Sequence, residues 1–385
     1  MSAYSFLSPD DIIYGDGALE KSCEKMKKLG GKALFVTDET MVKVGYVEKV
    51  TQILMEQDIE YIVYDEIGGE PTDDMVEKGV KLFKDNDCDF IVCLGGGSPI
   101  DAGKAIGIMV NNPGDISDYM GANKIREKLP PLAAIPTTAG TGSEATKVTI
   151  ITDTKNDVKM LINDPHLMPT YAIVDPELTM TVPPNITAAT GIDALTHAIE
   201  AYTSVQNQPL TDNLALSAIN RISNNLRVAW ANGKDKEARN EMLTASLEAG
   251  MAFTNSSVTI VHGMSRPIGA IFHVAHGISN AVLLPACMEY AVLGAPKRFA
   301  NVAKALGVDT NGLNNLEAAR KGVEAVKELC RDVEIPSISG LDINKEEFMN
   351  YADKMASDAL ASGSPGNTAR KPSKEELIEL YRKSL

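Results

Sequence analysis

Basic residues are scarce in this chain: 37 Lys and Arg face 52 Asp and Glu, a formal net charge of −15. A surface this acidic repels phosphate backbones, and no basic run offsets it, so nucleic acid is not an expected partner. Long hydrophobic runs are also missing. No segment reads as the ~20 apolar residues that span a bilayer. The opening MSAYSFLSPDD lacks the basic and apolar regions of a secretory signal. No membrane association is expected. Cysteine is sparse, at Cys23, Cys88, Cys93, Cys287 and Cys330, with no C-x-x-C pair. That pattern argues against a thiolate metal site and a disulfide framework, and it fits a reducing cytoplasm. No internal repeat or low-complexity tract is apparent. Histidine numbers only five, yet three of them, His262, His273 and His276, fall within HGMSRPIGAIFHVAHG (262–277).

The 385 residues are 44% hydrophobic, enough for a large core in two or three domains. From Lys32 to about Asp175, short apolar runs such as ALFVTD (33–38), YIVYD (61–65) and DFIVCLGG (89–96) alternate with helix-like stretches. This is the pattern of βαβ units and a mostly parallel sheet. Residues 131–163 carry little helical sequence and leave room for a hairpin. After Pro183-Pro184 strand-like runs nearly vanish, and helical patterns follow over about 185–206, 209–230, 236–253, 298–306, 314–333, 345–360 and 373–384. Asn185 and Pro209 read as starts; Gly250, Gly307 and Gly340 lie near stops. The expected organisation is an α/β dinucleotide-binding domain over 1–183 and an all-helical metal-binding domain over 184–385.

FIVCLGGGSPIDAGKAIG (90–107) reads as a buried strand, a glycine turn and a helix, with Ser98 as N-cap, Pro99 at the first helical position and Asp101 near a capping-box position. Free N–H groups at Gly96, Gly97 and Ser98, with Gly95 leading in, would suit a pyrophosphate, and Asp101 is counted among the candidate cofactor-binding residues. The motif lacks the third glycine of G-x-G-x-x-G, and a tight turn with no ligand fits it as well. IPTTAGTGSEAT (135–146) follows the fourth strand and offers the hydroxyls of Thr137, Thr138, Thr141 and Thr146 at the same sheet edge. Asp38 ends the first strand, where a carboxylate either binds ribose hydroxyls and repels a 2′-phosphate or merely caps a helix.

GIDALTHAIEAY (191–202) places Asp193 and His197 at i, i+4, on one helix face. Pro267, Gly269 and Gly277 disfavour one continuous helix through 262–277, and a bend there could bring His262 and His276 to one point. Together the four residues would form an O,N,N,N donor set. Such a set suits Fe2+ or Zn2+, and an ion there could act as a Lewis acid toward an alkoxide.

With these four motifs in order, the sequence resembles the iron-containing (group III) alcohol dehydrogenases over essentially its whole length, with primary-alcohol and propanediol dehydrogenases as the nearest pattern. The resemblance implies a dehydroquinate synthase-like fold. It implies that Asp193, His197, His262 and His276 bind the metal, commonly Fe2+, with Zn2+ as the alternative. It further implies that Gly96, Gly97 and Ser98 hold the pyrophosphate of NAD, and that Thr137, Thr138, Thr141, Thr146, Lys159 and Leu178 line the rest of that site. Asp38 matches the position that favours NAD over NADP. The expected substrate is a primary alcohol or diol, or the matching aldehyde; a zinc-dependent glycerol dehydrogenase-like polyol oxidoreductase is the alternative. Beside the metal, His273 is the candidate proton relay, and Phe253 with His273 the candidate pocket wall. A homo-oligomer, dimer or higher, is expected. The chain departs from family patterns at Arg266, where some members carry histidine, at Glu70, where many carry asparagine, and in GNTARKPS (366–373), where N-N-P-R is common.

Overall fold

The computed structural model describes residues 3–156, 158–341 and 343–385. It divides into two compact units, Leu7–Val182 and Pro183–Leu385, the latter joined by the N-terminal residues up to Phe6.

Among the described residues the first unit has nine strands: β1 Asp11–Tyr14, β2 Lys32–Val36, β3 Glu60–Tyr64, β4 Phe90–Gly95, β5 Gly121–Ala122, β6 Leu132–Pro136, β7 Val148–Asp153, β8 Val158–Asn163 and β9 Tyr171–Val174. Six form one parallel sheet in the order β1-β9-β6-β4-β2-β3. Each central strand is apolar on both faces. Leu34, Val36, Ile91 and Cys93 belong to one buried cluster, whereas Ala33, Phe35, Phe90, Val92 and Leu94 belong to another. Helices covering both faces demand this, and it explains why these strands read as continuous apolar runs rather than alternating ones. β1 lies at the sheet edge, and its four residues are too few to register as a strand in the sequence. The room left at 131–163 holds an antiparallel β7–β8 pair, joined by β5 in a separate three-stranded sheet.

Helices of ten or more residues in this unit are α1 Tyr46–Glu56, α2 Asp73–Asp85 and α3 Gly97–Asn111. β2 has β3 on one side and β4 on the other, so the chain direction across the sheet reverses between β2 and β4. Ligands of open α/β sheets bind outside the carboxyl ends of strands at such a switch point. Asp38 follows β2, and Gly95–Gly97 end β4 and begin α3.

The second unit is helical: α4 Pro184–Thr203, α5 Pro209–Ala231, α6 Lys236–Ser256, α7 Ile260–Phe272, α8 His276–Ala291, α9 Pro296–Ala305, α10 Asn315–Asp332, α11 Ala352–Ala361 and α12 Lys374–Lys383. Pro184 and Pro209 occupy first helical positions, where a missing N–H costs nothing. Asn314 with Glu317 and Ser373 with Glu376 form capping boxes. The helix expected over 236–253 runs on to Ser256, six residues past Gly250. An expected break is absent. Pro267 and Gly269 lie inside α7. The chain bends instead at His273, which closes α7 in the left-handed conformation at φ 53°. A left-handed residue stops the helix without glycine, and His273 tolerates that conformation where a β-branched residue would not.

The segment His276–Gly294 is long and apolar enough to cross a membrane by length and composition, contrary to the sequence reading. Half of it is buried inside the protein, and its first residue belongs to the cluster described next.

Candidate metal centre and dinucleotide site

α4 presents Asp193, His197 and Glu200 at i, i+4 and i+7, hence along one face. α7 supplies His262, and α8 supplies His276 from its first position and Asn280 one turn on. The break at His273 lets α7 and α8 fold back so that both imidazoles reach the α4 face. One ligand atom from each of Asp193, His197, His262 and His276 then lies within 4.8 Å of the others. A tetrahedral ion with bonds of roughly 2.0–2.2 Å to nitrogen and carboxylate oxygen holds its ligand atoms about 3.4 Å apart, so these side chains would draw in by an ångström or so around it.

Nε2 of His262 and Nε2 of His276 each lie 3.8 Å from Asp193 Oδ1. His197 stacks between two rings, with centroids 4.3 Å from Phe253 and 4.5 Å from His262. Asp193, His197 and His262 are buried, while the His276 side chain is 36% exposed and marks the open side of the cluster. Burial pushes His262 well below the ordinary histidine range and His276 down to about 4, against the opposing pull of Asp193 on the latter. Both imidazoles are therefore neutral near pH 7, the protonation state a metal ligand requires.

Two further residues complete the arrangement, and motif reading passed over both. Glu200 is buried and accepts from His262 Nδ1 at 2.6 Å, from Thr259 Oγ1 at 2.7 Å and from the Val261 N–H at 2.6 Å. With Nδ1–H given to the carboxylate, Nε2 is left as a lone pair aimed at the cluster. The i+7 spacing from Asp193 was the signal that could have marked Glu200. Asn280, also buried, places Nδ2 2.7 Å from Asp193 Oδ1, 3.1 Å from His262 Nε2 and 3.2 Å from His276 Nε2. Its Oδ1 is buried with no hydrogen-bond partner among the described residues. An amide nitrogen carries two protons and here faces three acceptors, a mismatch that a cation would resolve. The donor set and this frustrated polar core fit a divalent ion.

The expected relay, His273, sits at the bend three residues before His276 with its side chain exposed, outside the four-residue cluster. Phe253 lies against His197.

In the α/β unit, α3 begins at Gly97 with Gly96 as its cap residue. Ser98 and Pro99 are thus the second and third helical residues, not cap and first, and Asp101 is not part of a capping box. The turn is tight. A Cβ on Gly95 (φ 149°) would stand 2.6 Å from Pro99 Cγ and 3.2 Å from Asp38 Oδ2; one on Gly97 would stand 2.9 Å from Thr141 Cγ2. Only glycine fits there, and the close approaches show that Asp38, the glycine turn and the 137–146 loop converge. Asp38 both caps and faces the turn: Oδ1 accepts from the Thr40 and Met41 N–H groups, which leaves Oδ2 beside Gly95. Thr138 lies against Gly96. Lys159 Nζ is paired with Glu70 Oε1 at 2.6 Å. Thr137 and Leu178 are buried, Leu178 within the apolar cluster, and Thr146 and Asp101 are committed to bonds inside the protein.

Residues 9–176 match the family model of iron-containing alcohol dehydrogenases, and residues 187–385 match the C-terminal model of the same family. The chain belongs to the iron-containing alcohol dehydrogenase family. It is 40% identical to a 1,3-propanediol dehydrogenase of Citrobacter freundii, over 99% of this chain and 98% of the relative. It is 37% identical to an NAD-dependent methanol dehydrogenase of Bacillus methanolicus, over 94% of this chain and 95% of the relative. A crystal structure of 1,3-propanediol oxidoreductase superposes with a TM-score of 0.97 at 39% identity, each chain fully covered. This iron-containing alcohol dehydrogenase is an oxidoreductase acting on CH–OH groups, and its buried cluster of one carboxylate and three imidazoles fits the iron of the family.

Proposed function

We propose that this enzyme interconverts a short primary alcohol or diol, such as 1,3-propanediol, with the matching aldehyde, using Asp193, His197, His262 and His276 to hold Fe2+. The buried cluster of one carboxylate and three imidazoles, open at His276, is the observation that carries the reading. Similarity to a 1,3-propanediol dehydrogenase over nearly the whole chain supports the substrate class.

Fe2+ supplies Lewis-acid stabilisation of negative charge on the substrate oxygen, and NAD supplies the hydride acceptor. The chain's own groups do the rest. Glu200 fixes the His262 tautomer, and Asn280 orients Asp193. Phe253 and the flanking apolar helices exclude water from the His197 side, which strengthens every charge interaction there. Gly96, Gly97 and Ser98 offer N–H groups at the start of α3 to the pyrophosphate. The free Oδ2 of Asp38 accepts from ribose hydroxyls and repels a 2′-phosphate, so NAD is preferred over NADP. The substrate proton leaves through His273, the exposed histidine at the bend. Five free cysteines support a reducing cytoplasm as its location.

The decisive test is a panel of aldehydes and diols with NADH and NADPH, run anaerobically with Fe2+, Zn2+ or no metal. The expected result is fastest turnover of a short hydroxyaldehyde with NADH and Fe2+. Preference for glycerol with Zn2+ would favour the polyol dehydrogenase reading instead. For the relay, His273→Gln is expected to lower kcat by about 10²-fold, with partial recovery on adding imidazole. Parent-like kcat removes His273 from the proton path.

A further inference from the structure

Two polar segments of the dinucleotide site are tied together by a side chain that solvent does not reach. Gly97, Asp101 and Lys104 recur at i, i+4 and i+7 on α3 and so line one face of that helix. Segment 141–150 climbs this face one turn at a time. Thr141 packs on Gly97. One turn further, Ser143 Oγ donates to Asp101 Oδ1 at 2.6 Å, the Ile150 N–H donates to Asp101 Oδ2 at 3.0 Å, and Thr149 Oγ1 donates to the Asp101 carbonyl at 2.8 Å. At the next turn Lys104 is fully buried. Its Nζ lies 2.7 Å from the Ser143 carbonyl, 2.9 Å from the carbonyls of Thr146 and Val148, 3.0 Å from Thr146 Oγ1 and 3.2 Å from Ser143 Oγ.

We propose that Lys104 is a positioning residue of the dinucleotide site: its ammonium pins segment 143–148 to α3, and thereby holds Thr138 and Thr141 over the glycine turn without touching the cofactor. The proposal rests on the reading that the turn and the 137–146 loop hold NAD.

The chemistry is specific to an ammonium. Three protons disposed around one nitrogen satisfy three inward-facing carbonyls, whereas the planar guanidinium of arginine cannot. Asp101 balances the charge from one turn away, which is why a lysine can be buried at all. Without the ammonium, three buried carbonyls lose their donor, and the loop must turn them toward water. Thr141 would then leave Gly97. The same geometry reassigns Asp101 and Thr146, which frame the loop rather than line the cofactor.

The test is NADH titration by fluorescence with metal-loaded Lys104→Met, alongside Asp101→Asn, which keeps the shape of that side chain and removes its charge. The expected result for Lys104→Met is an NADH Kd at least about tenfold weaker, a parallel rise in KM for NAD, and kcat at saturating NAD within about twofold of the parent. Metal content and the KM for alcohol stay unchanged. Asp101→Asn shifts the same quantities in the same direction, and it decides the matter should Lys104→Met fail to fold. NADH affinity unchanged in a folded variant overturns the proposal, as does an equal loss in kcat and in both KM values. Gly97→Val separates the two levels. If it abolishes NADH binding while the other variants bind normally, only the role of Lys104 falls; if it too binds NADH normally, the dinucleotide reading falls with it.

Discussion

Replacing His276 by alanine is expected to strip the metal and lower turnover by about three orders of magnitude. Lewis-acid stabilisation of the substrate oxygen is worth several kcal/mol, and each ~1.36 kcal/mol is tenfold in rate. Three ligands would remain, Asp193, His197 and His262, all buried, but the open side of the cluster would lose the group that closes the ion in. Because the His276 side chain is 36% exposed, its truncation leaves little cavity, and the thermal midpoint of the metal-free protein should move by only a few degrees. Metal analysis, turnover and circular dichroism on one preparation check this. Full metal content with normal turnover would exclude His276 from the centre.

Glu200→Gln should have the next largest effect, although Glu200 is not one of the four clustered ligands. Its carboxylate takes three donors at 2.6–2.7 Å, from His262 Nδ1, Thr259 Oγ1 and the Val261 N–H. A glutamine of the same shape has one oxygen and one N–H2, so at least one of these donors meets another donor. His262 then loses its fixed tautomer, and its Nε2 is no longer a dependable lone pair. Metal affinity should fall by about 10- to 100-fold, the cost seen when partners of ligating histidines are removed. Chelator competition measures this directly, and a Co2+-loaded sample should show an altered visible spectrum. Parent-like affinity would mean that Glu200 serves only the packing of α4 against α7.

The four clustered residues differ in how far local pattern reveals them. Asp193 and His197 are four residues apart on one helix, and helical geometry alone puts them side by side. His262 and His276 are related by a bend that residue types point to wrongly: Pro267 and Gly269 are the usual breakers, yet they lie inside α7 and the turn is made by His273. Tertiary packing overrides propensity there, since the helix bearing His262 is held against α4 through Glu200. Asn280 carries no motif, because an asparagine inside a helix gains meaning only from what faces it. At the glycine turn the spacing is legible, but the helix starts two residues earlier than a Ser98 cap would place it, at Gly97.

By itself the sequence determined the alternation of buried strands and helices, the change to helical periodicity after Pro184, the glycine turn and the i, i+4 pairing of Asp193 with His197. Each of these is written within a few turns of chain, where periodicity and backbone preference act directly. Only the tertiary structure decided that Glu200 meets His262 across 62 positions, that Asn280 meets Asp193 across 87, and that Lys104 gathers carbonyls from 39 to 44 residues away. Such contacts depend on which faces the core forces together, and burial makes them decisive: a buried charge or carbonyl must find its partner, however distant that partner is in the chain.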